Sequence, residues 1–253
     1  MEQVLEKGES TVYGDFVNIL KSNSKWSIGS YKLQDGSTWL YREPDATIMV
    51  QNGRLKVRAN PFTRAHSTVQ TLDNAKHMYF SKERFDVPRD GEIAFELEMR
   101  AIVHNGHPGD VYDGFSSVNL LDIETGISAD WFLGGDQAAT VYARVHSSGG
   151  EPEDNGVAKF FAIFNEIDLT QPAEEPHRFK IHYSRSRDTL TWFMDDREVH
   201  AEDAVPGKVN GFNIAIGLMT NKDLRSAGSV SLHGQGVTGE WSPIRVTKIH
   251  HGR

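Results

Sequence analysis

The chain has 253 residues, 38% of them hydrophobic and 25% charged, which is enough apolar material for a folded domain and excludes wholesale disorder. Asp and Glu outnumber Lys and Arg by 35 to 27, and the net charge of −8 repels phosphate backbones, so no nucleic-acid partner is expected. Cysteine is absent, which removes disulfides and thiol chemistry, and a mean hydropathy of −0.48 without a long apolar run gives no reason to expect a membrane span or a membrane partner.

The first ten residues mix glutamates with Lys7 and lack the apolar stretch of a secretory leader, so a cytoplasmic location is expected. Residues 31–41 read as a hairpin around Asp35-Gly36. Residues 47–50 and 54–58 alternate around Asn52-Gly53, a dipeptide suited to the left-handed backbone of a tight turn. Residues 92–103 alternate throughout, with Ile93, Phe95, Leu97, Met99 and Ala101 on one side and Glu92, Glu96, Glu98 and Arg100 on the other. Further strands are expected at 115–123, 128–133, 138–146, 178–183, 189–194, 212–219 and 244–249. The polar loop 146–157 reads as a flap between strands of one sheet. No stretch holds a helical period and no linker divides the chain, so a single β-sandwich domain over 1–253 is expected.

From about Lys76 to Met219 the order of features resembles the concanavalin A-like jelly roll of family 16 glucanases. The segments that carry this are 80–87, with Phe80, Phe85 and Val87, and the pair 177–183 and 190–199. The latter is similar to a Trp-x-x-Asp-Gly hairpin, here Trp192-Phe193-Met194-Asp195-Asp196. The resemblance implies an all-β sandwich of two antiparallel sheets with a concave face. Residues 26–31, 74–81 and 231–236 also resemble a group of bacterial proteins, many of them actinobacterial, that brings no activity to carry over.

The glucanase family places Glu-x-Asp-x-Glu on one strand, so that alternation puts nucleophile, helper and acid/base on one face. The nearest match is Leu120-Leu121-Asp122-Ile123-Glu124. Leucine stands at the nucleophile position, and Glu124 abuts the Thr125-Gly126 turn. Retaining hydrolysis by this motif is therefore not expected.

Alternation also assigns faces. In residues 140–146, Val141, Ala143 and Val145 suit the core, leaving Thr140, Tyr142, Arg144 and His146 outside. Asn119 and Ser117 face out, as do Asn213, Ala215, Gly217 and Met219. His77 and Tyr79 share a polar side, and Asp73 aligns with His77 as an acid/base pair. Trp131 is ambiguous in parity. The expected catalytic set is His77, Asp73, Tyr142 and Arg144, and the expected ligand contacts are Tyr79, Asn119, Trp131, His146, Asn213 and Met219. His104 and His107 could share a metal with Asp110 or Asp113, but a His-Gly-Pro loop reads first as a loop. Neither metal nor cofactor is expected.

Three functions fit. The first is a cytoplasmic enzyme acting on a small molecule by acid/base chemistry, of lyase, isomerase, cyclase or hydratase type. The second is a carbohydrate-binding or glycoside-processing jelly roll lacking the glucanase nucleophile, with Trp131, Tyr142 and Trp39 stacking on sugars. The third is a binding protein for a small hydrophobic ligand. Long sheet edges also leave room for a homodimer.

Overall fold

The computed structural model describes residues 7–14, 16–32, 35–64, 75–144, 161–203, 208–221, 224–225, 228–229 and 232–251. Two large antiparallel sheets face each other. The back sheet runs in the order Arg197–Glu202, Thr189–Met194, His177–Ser184, Gly91–His104, Gly236–Trp241, Arg54–Ala59, Thr47–Gln51. The front sheet runs Phe161–Asp168, Gln137–Arg144, Ile127–Gly134, Phe115–Leu121, Gly211–Met219, Lys76–Ser81, Trp26–Ile28. This is the expected jelly-roll sandwich. Among the described residues no helix is long and apolar enough to cross a membrane.

The local chemistry explains the clearest elements. Asn52 and Gly53 both have positive φ, and the flanking strands pair Gln51 with Arg54 and Val50 with Leu55. Asp195 and Asp196 turn the next hairpin with φ of 49° and 65°. Strand Gly91–His104 is 14 residues long, which lets one edge of it pair with two successive partners. Ile244–His250 takes residues 91–96 and Gly236–Trp241 takes residues 99–104. Strands Lys7–Tyr13, Phe161–Asp168 and Gly236–Trp241 were not expected from the sequence pattern. The proposed flap at 146–157 lies outside the described residues.

The core between the sheets is rich in large rings: Trp26, Trp131, Trp192 and Trp241 are all fully buried. A buried indole N–H needs an acceptor, and three of the four find one in the opposite sheet. Trp192 donates from the back sheet to the Asp130 carbonyl at 3.1 Å, and Trp241 donates to the Ser117 carbonyl at 3.1 Å. Trp131 reaches the other way, to the Lys180 carbonyl, at 3.4 Å. Gly239 makes room for this packing, since a Cβ there would stand 2.3 Å from Ser116 Oγ and 2.6 Å from the Trp241 ring.

Trp192→Phe removes one of these bonds and leaves a void. We expect it to cost about 2–4 kcal/mol in urea unfolding, with an unchanged denaturant slope. A loss below about 1 kcal/mol would show that the bond contributes little beyond bulk.

Candidate functional site

Strand register fixes which side chains share the outer face of the front sheet. Asn119 pairs with Asp130 on one side and with Ala215 on the other; Ser117 pairs with Phe132 and Gly217; Leu121 pairs with Ser128 and Asn213. One strand further, Ala139, Val141 and Ala143 oppose Phe132, Asp130 and Ser128. On the far side Met78 and Phe80 oppose Gly217 and Ala215. Tyr41, Val111, Phe115 and Met219 complete an apolar cluster here, with Trp39, Tyr112 and Leu121 packed against it.

Asn119, Asn213 and Met219 therefore lie on the outer face, as their parity implied. The other expected residues that are described do not. Tyr142 belongs to the inter-sheet core, where its ring meets Phe161 at 4.9 Å and Trp192 at 6.4 Å. Arg144, on the same side, is buried and donates from Nε to the Thr125 carbonyl at 3.0 Å. Trp131 is core. His77 and Tyr79 also point inward, opposite Leu218 and Ile216, with His77 Nε2 3.2 Å from the Tyr79 hydroxyl. Burial, with Arg42 nearby, pushes His77 down to about 4, so it is neutral at physiological pH. Asp73 and His146 lie outside the described residues.

The parity of residues 138–144 failed for a physical reason. Alternation marks a face only when one side is wetted, and here both sides are apolar. Tyr142 is inward because its ring fills the space beside Trp192; Val141 and Ala143 are outward because the outer face is itself a hydrophobic layer.

The residue that this face centres on is Asp130, which neighbours Trp131 with opposite parity and was not among the expected site residues. It is buried, and among the described residues its carboxylate has one side-chain partner, Ser128 Oγ at 2.6 Å. Burial pushes its carboxyl up to about 7, with the Ser128 hydrogen bond pulling the other way. Beside it, Asn119 Nδ2 donates to Ser117 Oγ at 3.0 Å and to the Ala215 carbonyl at 3.3 Å. The available signal was a lone carboxylate in the apolar run Ile127-Ser128-Ala129-Asp130-Trp131-Phe132-Leu133.

The rim is aromatic. Trp39 is half-buried under the Arg64 guanidinium, 4.0 Å from its ring. Tyr112 meets exposed Phe164 edge-on at 5.4 Å.

A family model with the description "Family of unknown function (DUF6081)" matches residues 13–250. The chain belongs to that family. No curated protein sequence matches it. Solved structures match this DUF6081 chain in fold at low identity. One is the endo-1,3-beta-glucanase from Streptomyces sioyaensis, at 12% identity and a TM-score of 0.58, covering 89% of this chain and 90% of that one. Another is a LamA variant from Z. galactanivorans in complex with laminaritriose and laminaritetraose, at 13% and 0.58, covering 90% and 92%. A third is the Emp47p carbohydrate recognition domain, at 12% and 0.50, covering 93% of both chains. At such identity the likeness establishes the jelly roll alone.

In this DUF6081 chain, residues 120–124 do not share one strand face, because the strand Phe115–Leu121 ends before Asp122. Leu120 is core, Asp122 accepts from the Glu124 backbone N–H and the Thr125 hydroxyl within a turn, and exposed Glu124 pairs with Arg84 at 3.1 Å. The outer-face triple with a central aspartate is Ser128-x-Asp130-x-Phe132, one strand later. A hydroxyl and a phenyl ring flank the single acid.

An aspartate raised from 3.8 to about 7 costs nothing well below pH 3.8, where it is neutral folded or unfolded. The cost grows as pH rises through this window and is complete above it. Asp130→Asn should therefore gain roughly 1–4 kcal/mol over wild type at about pH 8 and little at about pH 3 in urea unfolding. A difference of equal size at both pH values would show that Asp130 does not titrate in this range.

Proposed function

We propose that the chain is a non-hydrolytic carbohydrate-binding jelly roll whose ligand lies on the outer face of the front sheet. The observation that carries this reading is one acid, Asp130, beside the amide of Asn119, within an aromatic surround. Sugars are recognised in this way: planar polar side chains fix hydroxyls, and rings such as Trp39, Tyr112 and Phe164 stack on the C–H faces.

Hydrolysis needs a second carboxyl group about 5–9.5 Å from the first. Among the described residues, the other acids with outer-face parity, Glu166 and Asp168, sit on the edge strand Phe161–Asp168, opposite Ala139 and Gln137. Asp130 is two strands from Glu166 and offset by two residues in register, roughly 12 Å between backbones. The outer face of strand Ile127–Gly134 thus offers one acid, where the glucanase motif offers three on one strand.

The fold neighbours suggest the first probe, a β-1,3-glucan. We expect the wild-type chain to be retarded in a native gel containing laminarin and to release no reducing ends. Asn119→Ala and Asp130→Ala should each weaken retardation roughly tenfold, the effect of losing a buried polar contact. Absence of binding to laminarin and to a broad glycan array would overturn the reading.

The near-neutral carboxyl of Asp130 favours one other reading: acid/base catalysis on a small molecule, of lyase, isomerase, cyclase or hydratase type, with Asp130 in the role first assigned to His77. Under it, a screen of hydroxy and carbonyl compounds yields a turnover with an inflection near pH 7. Asp130→Asn abolishes that turnover, while His77→Ala leaves the inflection in place. Turnover that survives Asp130→Asn would rule it out.

A further inference from the structure

Away from the Asp130 centre, three side chains converge that neither reading uses. Asp113 closes the short turn Val111–Asp113, which Asp110 caps by accepting the Tyr112 backbone N–H at 3.1 Å. Asp113 is fully buried. Its Oδ2 accepts the His107 backbone N–H at 2.7 Å and lies 2.7 Å from His107 Nδ1. His233, 120 residues further along the chain, brings Nε2 to 3.0 Å from both carboxylate oxygens. The three ligand-type atoms lie within 4.8 Å of one another. His104, the other imidazole of this segment, is turned away and held at 2.9 Å from Thr238 Oγ1.

We propose that His107, Asp113 and His233 bind a first-row divalent cation of the zinc class, with coordination positions left open to solvent. Geometry supports this first. The carboxylate–imidazole separations of 2.7 and 3.0 Å are close to the roughly 2.9–3.3 Å between neighbouring ligands on an ion with bonds of about 2.0–2.1 Å. Without an ion, both rings must turn an N–H toward one carboxylate. A cation takes the place of those two protons and uses the lone pairs instead.

The backbone around His233 is fixed independently of its ring. The His233 backbone N–H donates to Gln235 Oε1 at 2.9 Å, and the Gly234 carbonyl accepts from Asn105 Nδ2 at 3.3 Å. The far sides of both rings are open, with side-chain exposures of 63% for His107 and 36% for His233. Two imidazoles and one carboxylate select zinc, cobalt or iron over calcium, which takes six to eight oxygens. Gly114 and Phe115 follow Asp113 directly, so the ion would tie the 105–113 loop and the 232–235 turn together at one end of the outer face.

The test is calorimetric titration of the chelator-stripped full chain with Zn²⁺, alongside the visible spectrum of the Co²⁺ form. We expect one equivalent bound with micromolar or tighter Kd, cobalt d–d bands of a four- or five-coordinate ion, and no heat with Ca²⁺. His107→Gln and His233→Gln should each weaken Zn²⁺ binding roughly tenfold or more. Both rings are partly exposed, so the variants should fold, and circular dichroism checks that they do. His104→Gln should bind as wild type does. Failure of the wild type to bind one equivalent, affinity unchanged from wild type in His107→Gln or His233→Gln, or a comparable loss in His104→Gln would each overturn the assignment. A fall in melting temperature for His233→Gln with no Zn²⁺ response in the wild type would mark the cluster as a hydrogen-bond clamp.

Discussion

Three indole N–H groups reaching across the core hold the two sheets in one relation, and the outer face inherits its geometry from them. Stacked sheets held only by apolar contact can slide, because burial is non-directional. A buried N–H bonded to a carbonyl of the opposite sheet cannot slide without losing its partner. The Asp130 and Ser117 carbonyls receive two of these bonds, and both residues carry their side chains on the outer face. The core tryptophans thus position the strands that bear the polar centre, one layer away from it.

That centre is expensive. Asp130 sits where burial resists its charge, and its partner among the described residues is a serine hydroxyl rather than a cation. Leucine or valine would suit the surrounding apolar layer better. A buried carboxyl without a cationic partner is the feature on which the proposed ligand face rests. The contrast with Glu92 is instructive: that carboxylate is also largely buried, but His182, Ser184 and Arg187 surround it and hold it below its ordinary range.

Much of the architecture was legible in the residues. Asn52-Gly53 dictated a hairpin, and residues 95–101 displayed one buried side and one more exposed side. The front sheet was harder because its two sides differ little in polarity. Between residues 138 and 144 the polar tyrosine went inward and the valine outward, which inverts any reading based on polarity alone. His77 and Tyr79 misled for the same reason: two polar aromatics meet each other inside the core. The His107, Asp113 and His233 cluster was half visible, since two of its members lie six residues apart. Its third member depends on how Gly236–Trp241 docks beside Gly91–His104, which no local pattern encodes.

The pairing of Lys7–Tyr13 with Ile244–His250 has a consequence for how the molecule is made. The earliest described strand finds its hydrogen-bond partner in the latest, so a ribosome must deliver nearly the whole chain before that edge can close. Contacts of such long sequence separation fold slowly, and until then residues 7–13 present unpaired backbone that invites intermolecular pairing. The same adjacency makes the protein a good subject for circular permutation. A short linker joining residue 250 to residue 7, with new ends opened in an exposed turn such as Asn52-Gly53, would convert the most distant contact in the fold into a local hairpin.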